Sequence, residues 1–169
     1  MGKDSRAACF TLERQAKAWP NVPMSRSTLD QAYALTSPED CLRLYADWAG
    51  SYDAGFAKGM DYVLPAQVAR AFVDAGGTGP VLDVGAGTGL AGQALRGLGF
   101  AGDIDALDLS EQMLAQARAK NIYRALHAAD LTRPPLPCAG YAGIISSGTF
   151  THGHVGPDAL PALIDAALP

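Results

Sequence analysis

The sequence predicts an α/β fold: a parallel sheet with helices on both faces. Three observations carry this. Val81-Leu82-Asp83-Val84 is a short aliphatic run of strand length, followed at once by glycines at 85, 87 and 89. A helical period then begins, with Leu90, Ala91, Ala94, Leu95 and Leu98 on one face. A second strand over Ile104–Leu109 and a second helix over Glu111–Lys120 continue the alternation, as a βαβ architecture requires.

The chain of 169 residues is long enough for one domain with a real core. Its 49% hydrophobic and 18% charged content is globular in character. The net charge of −4, with no basic block, argues against a nucleic-acid partner, which needs a clustered positive face. No apolar run reaches membrane-spanning length, and the N-terminus lacks the apolar core of a signal peptide. Cys9, Cys41 and Cys138 are odd in number, widely spaced and without a C-x-x-C pair. They read as buried or free thiols in a reducing, cytoplasmic compartment, and not as a zinc site.

Residues 1–27 hold no sustained period and read as a poorly ordered arm, with a short helix compatible with Leu12–Trp19. Met24 stands just before the patterned region and is a candidate natural start. The domain proper is expected over 28–169. Ser37-Pro38-Glu39-Asp40 is a helix start: a capping serine, a proline at the first position, and two acids at the positive end of the dipole. Cys41, Leu44, Tyr45 and Trp48 follow on one face, and Gly50-Ser51 ends it. An aromatic stripe of this kind, with Tyr52 just after it, usually means packing. After a connection over Gly55–Met60, a helix is expected from Leu64 to Ala75, with Val68, Ala71 and Phe72 inward. Gly76–Pro80 stops it and leads into the central strand.

The glycine turn bears two frames. Gly87, Gly89 and Gly92 form G-x-G-x-x-G, with Asp108 21 residues after Gly87, the spacing of a dinucleotide site. That frame leaves Gly85 inside the strand and ignores Asp83. In the other frame the turn starts at Gly85, directly after the strand, and Asp83 stands beside it. A carboxylate there suits a cationic ligand and repels a pyrophosphate. It can equally tie down the turn through hydrogen bonds. Free N–H groups at the following helix start suit an anionic group.

Downstream, Gly97 and Gly99 break the first crossover helix. Asp108 ends the second strand, where a carboxylate can accept both hydroxyls of a ribose. The competing role, capping the next helix, suits Ser110 better. Asp105 is expected to face solvent. Met113 and Leu114 belong to the core. A third strand is expected over Ile122–Ala128, with Asp130 just beyond it, and a fourth over Tyr141–Ile145, after a rigid loop with Pro134, Pro135 and Pro137. Ser146–Gly156 leaves that strand at its carboxyl end, where open α/β sheets bind ligands. His152 and His154 alternate there without an evident third metal ligand. They read as polar loop residues, or as weak candidates to orient or deprotonate an acceptor. Pro157–Leu168 begins a further helix.

Val81-Leu-Asp-Val-Gly-Ala-Gly-Thr-Gly89 resembles the first motif of class I S-adenosylmethionine-dependent methyltransferases. The resemblance continues through Ala106–Ala117, His127–Leu131 and Gly143–Phe150. Tyr45–Asp53 and Thr149–Gly156 are similar to the methyltransferase-like proteins related to the Williams–Beuren region product. It implies a Rossmann-like sheet in the order three, two, one, four, and S-adenosylmethionine as cofactor. The cofactor contacts it implies are Tyr52, Asp83, Gly85, Gly87, Asp108, Leu109, Met113, Asp130, Leu131 and Ser146. Among these, Asp130 would accept from the adenine amine; read from the residues alone it is equally a turn aspartate.

The family's sheet has seven strands and this chain holds four, so it reads as truncated after the fourth. The fourth strand is then expected to carry an unpaired apolar edge open to self-association. The expected function is methyl transfer to a small-molecule acceptor. The alternatives are a non-catalytic cofactor-binding fragment and an NAD(P)-dependent oxidoreductase.

Overall fold

The computed structural model describes residues 62–151 and 155–169. The proposed arm over 1–27, Met24, the capped helix at Ser37, Cys9 and Cys41 lie outside the described residues. Helix α1 (Leu64–Asp74) leads to β1 (Val81–Val84), α2 (Leu90–Gly97), β2 (Ile104–Asp108), α3 (Glu111–Ala119), β3 (Ala125–Ala128), β4 (Gly143–Ser146) and α4 (Leu160–Ala166). A single 3-10 turn, Pro157–Ala159, precedes α4.

The four strands pair in parallel in the order β3-β2-β1-β4, the order that the family resemblance implies. β1 is buried along its whole length because both sheet faces are covered. Val81, Ile104 and Ile145 pack with Ala69 of α1 and with Ala91 and Leu95 of α2 on one face. Leu82, Val84 and Leu107 pack with Tyr141, Leu163 and Ala166 on the other. Fully burying an aliphatic side chain such as Leu82 or Leu95 contributes about 1.5–3 kcal/mol. α3 adds Leu114 against Ala106 and Ala86. In α1 the buried positions are Pro65 and Ala69, while Ala71, expected inward, is exposed. Phe72 does reach inward, meeting Phe100 edge-on at 5.8 Å.

Two strand starts differ from expectation. β3 starts at Ala125, not Ile122, because its partner β2 starts only at Ile104: the Arg124 N–H donates to the Ile104 carbonyl (2.7 Å) and pairing begins with Asp105 opposite Ala125. β4 starts at Gly143, opposite Val81. Tyr141, expected inside that strand, instead bridges Ala167 in parallel, and its N–H donates to the Ala166 carbonyl at 3.1 Å.

Asp105 corrects the reading that it faces solvent: it is 3% exposed. In-out alternation fails in a parallel sheet covered on both faces. Its carboxylate accepts from Arg124 Nε (2.9 Å), the Tyr141 hydroxyl (2.8 Å) and the Ala125 N–H (3.1 Å). Burial pushes its pKa up, but the bonds from Arg124 and Tyr141 outweigh burial and hold it below the ordinary carboxylate value.

β4 is an edge of the sheet, bonded only to β1 among the described residues. Beside it an apolar groove is lined by Tyr141, Ile144, Leu160, Leu163, Ile164 and Ala167. Ile164 on its rim is 72% exposed. No helix among the described residues is long and apolar enough to cross a membrane.

Candidate active site

The carboxyl ends of β1, β2 and β4 converge on the turn between β1 and α2. Gly85, Gly87 and Gly89 all take positive φ (65°, 56° and 89°), so the frame that begins at Gly85 is the one the backbone adopts. The Gly85 and Ala86 N–H groups donate to the Leu107 carbonyl (2.7 and 3.1 Å), locking the turn to β2. A Cβ on Gly85 would collide with the Thr149 side chain. Among the described residues, a Cβ on Gly87 would meet nothing within 4 Å, so they leave the turn open on that side.

Asp83 lies beneath this turn, 1% exposed. Its Oδ2 accepts from the Tyr123 hydroxyl at 2.7 Å and from the Gly92 N–H at 3.2 Å. Its Oδ1 is buried and has no hydrogen-bond partner among the described residues. Burial pushes the Asp83 pKa up to about 6, against the pull of the Tyr123 and Gly92 bonds; the neighbouring Asp108 charge adds to the rise. The same burial and the Asp83 charge hold the Tyr123 phenol protonated, as a donor.

Asp108 stands one strand over. Its Oδ2 accepts from the Gly87 N–H at 2.7 Å and its Oδ1 from the Ser110 N–H at 2.8 Å. Ser110 is the cap of α3, its Oγ accepting from the Met113 N–H at 3.3 Å. Burial raises the Asp108 pKa, and these backbone bonds counter it. Each Asp108 oxygen still carries a second lone pair, so the carboxylate keeps capacity for further donors.

Ser146, at the end of β4, donates from Oγ to the Val84 carbonyl at 2.9 Å, and Thr149 Oγ1 donates to the same carbonyl at 3.0 Å. Thus Asp83, Gly85, Gly87, Asp108 and Ser146 cluster at one end of the sheet. Leu109 is half-buried beside Asp108, and Met113 is 2% exposed. The Leu131 side chain is buried in the core on the α4 face, among Leu107 and Leu163. Asp130 adopts the turn role: its Oδ1 accepts from the Thr132 N–H (2.9 Å) and hydroxyl (2.6 Å), and its Oδ2 pairs with Arg133. Tyr52, His152 and His154 lie outside the described residues. Among the described residues, no group of three metal-ligating side chains comes together. Cys138 is a free, half-buried thiol whose pKa burial raises.

Two residues of the site went unread in the sequence. Tyr123 seats its ring over Gly89 and Gly92. A Cβ on Gly89 would come within 2.8 Å of the ring, and one on Gly92 would overlap the hydroxyl. Thr149 plays the same part at Gly85. The glycines at 89 and 92, one helical turn apart, signal a large residue overhead but do not say which.

A family model described as a methyltransferase domain matches residues 81–168, just over half the chain. Human methyltransferase-like protein 27 is 30% identical over 149 residues, spanning 85% of this chain and 60% of that protein. The complex described as DhpI-SAM-HEP superposes with a TM-score of 0.59 at 29% identity, over 78% of this chain and 61% of that one. DesVI from Streptomyces venezuelae gives 0.54 at 25% identity, over 72% and 53%. The chain therefore spans about 60% of the length of the curated relative it matches. With its parallel sheet, its turn of three positive-φ glycines and its paired strand-end aspartates, the chain belongs to the methyltransferase-domain family, in the class I S-adenosylmethionine-dependent group.

Proposed function

We propose that this chain holds S-adenosylmethionine at the β1–α2 turn and serves methyl transfer to a small-molecule acceptor. The observation that carries the reading is the buried Asp83 Oδ1, without a hydrogen-bond partner among the described residues, beneath a turn that those residues leave open at Gly87. A buried acceptor without a donor is costly, and a cationic ligand offsets that cost. A pyrophosphate would add negative charge beside the buried Asp83 and the half-buried Asp108, which speaks against the nicotinamide alternative.

In this reading Asp83 accepts from the cationic amino-acid end of the cofactor, and Gly85 and Gly87 let its chain lie close to the backbone. Asp108 accepts from the ribose hydroxyls with its remaining lone pairs. Leu109 and Met113 border the base, with Leu131 contributing through its backbone, Asp130 accepting from the adenine amine, and Tyr52 and Ser146 closing the site. When bound, the sulfonium supplies an already electrophilic methyl group. The protein's task is then chiefly to align donor and acceptor, which is worth up to about 7–11 kcal/mol. A base is needed only where the acceptor must lose a proton, and His152 and His154 are the candidates for it. A reduced Cys138 fits a cytoplasmic setting.

The test is transfer of labelled methyl from S-adenosylmethionine into a small-molecule extract by this chain and by a version extended to the relatives' full length. Labelled product from either, lost on Asp108→Ala, supports the reading. No transfer by either, with cofactor bound, leaves a non-catalytic binder and overturns the enzymatic part.

A further inference from the structure

We propose that Tyr123 is a positioning residue for the cofactor: its hydroxyl fixes Oδ2 of Asp83, so that Oδ1 is presented to the ligand's cation. The proposal rests on the cofactor reading above.

The geometry is specific. Tyr123 precedes β3, two strands away from Asp83 in the sheet and 40 residues away in the chain. It nevertheless reaches under α2 to donate to Asp83 Oδ2 at 2.7 Å. The reach exists because Gly89 and Gly92 lack side chains: any Cβ there would occupy the space of the ring or hydroxyl. The glycine turn thus has two uses. Its outer side, at Gly87, is open among the described residues, and its inner side, at Gly89 and Gly92, is filled by Tyr123. The Gly92 N–H closes on the same oxygen at 3.2 Å. Oδ2 has two donors and Oδ1 has none among the described residues. A carboxylate pinned through one oxygen cannot turn the other away from a ligand.

The hydroxyl also holds the charge. Among the described residues, the groups facing Asp83 are the Tyr123 phenol, the Gly92 N–H and, at the end of the adjacent β2, the Asp108 carboxylate. The first two favour the ionised form of Asp83; burial and Asp108 oppose it. Removing the phenol oxygen therefore moves Asp83 toward its neutral form near neutral pH, where a neutral acid attracts a cation poorly.

The experiment is calorimetric titration of the purified chain with S-adenosylhomocysteine between pH 6 and 8.5, for wild type, Tyr123→Phe and Gly92→Ala. Tyr123→Phe keeps the ring that fills the notch. It is expected to weaken binding about tenfold at pH 7, the scale of losing a hydrogen bond to a charged group. The loss shrinks toward pH 8.5, because the pH at which affinity falls away moves upward. Gly92→Ala pushes the hydroxyl off Asp83 from the opposite side and is expected to reproduce that displaced profile. A purely structural Tyr123 predicts equal weakening at every pH, or none, and either result overturns the proposal. Wild type that ignores S-adenosylhomocysteine at all pH values overturns the cofactor reading, and this proposal with it. Wild-type binding with an unmoved Tyr123→Phe profile overturns this proposal alone.

Discussion

The Asp108 carboxylate accepts the backbone N–H of Gly87 at 2.7 Å, joining the end of β2 to the middle of the turn that follows β1. The bond ties the turn to β2, and among the described residues nothing lies within 4 Å of where a Gly87 Cβ would project. A Val at 87 would project into that open side, and its L-residue backbone would be strained at φ 56°. Gly87→Val is expected to abolish S-adenosylhomocysteine binding while lowering stability by only about 1–2 kcal/mol. Calorimetry checks the first statement and thermal unfolding the second. Retained affinity would show that the ligand does not approach the turn.

Asp83 is a stability cost carried for the site. Its folded pKa of about 6 lies above the unfolded carboxylate value. The folded state therefore binds the proton more readily, and its stability falls as pH rises from about 4 to about 6, then levels off. At neutral pH the cost is roughly 3 kcal/mol. Asp83→Asn is expected to raise the unfolding midpoint at pH 7.5 by several degrees, the gain fading below pH 6 and vanishing near pH 4. The same variant is expected to lose cofactor affinity. Unfolding scans across this pH range check it; an unchanged midpoint at pH 7.5 would contradict the buried charge.

Tyr141 supplies a contrasting carboxylate partner. Its hydroxyl donates to Asp105 at 2.8 Å, on the α4 face of the sheet. Asp105 has a lowered pKa, so its stabilisation is present above the unfolded carboxylate value and is lost as pH falls through the folded one. Tyr141→Phe is expected to destabilise by about 1–2 kcal/mol at pH 7, less in acid, with cofactor affinity unchanged. Paired unfolding and titration curves check it.

The open side of β4 carries its own consequence. An apolar strand edge, unpaired among the described residues, beside a groove with Ile164 72% exposed, suits pairing with another copy. The isolated chain is expected to self-associate with rising concentration, and Ile164→Lys to shift it toward monomer. Sedimentation velocity decides this; a wild-type monomer at all concentrations would contradict it.

Much of this was legible in the sequence, and the unread part has a physical cause. Helices α2 and α3 and the turn frame follow from apolar period, glycine spacing and one serine cap, all of which are local; the strand order is not local and came only with the family resemblance. Asp105 was misread because alternation describes a sheet covered on one face, and this sheet is covered on both. Tyr123 and Thr149 were missed because their roles lie in space that Gly85, Gly89 and Gly92 leave empty. A glycine announces that space without naming its occupant. Asp130 remained double in meaning because a turn aspartate and an acceptor at a strand end share one position.

The central claim is that the turn after β1 takes an S-adenosyl nucleoside. The most direct measurement is calorimetric titration of the purified chain at pH 7.5 with S-adenosylhomocysteine and, separately, with NAD. The account predicts saturable binding of S-adenosylhomocysteine and no heat from NAD. Binding of NAD with indifference to S-adenosylhomocysteine would contradict it.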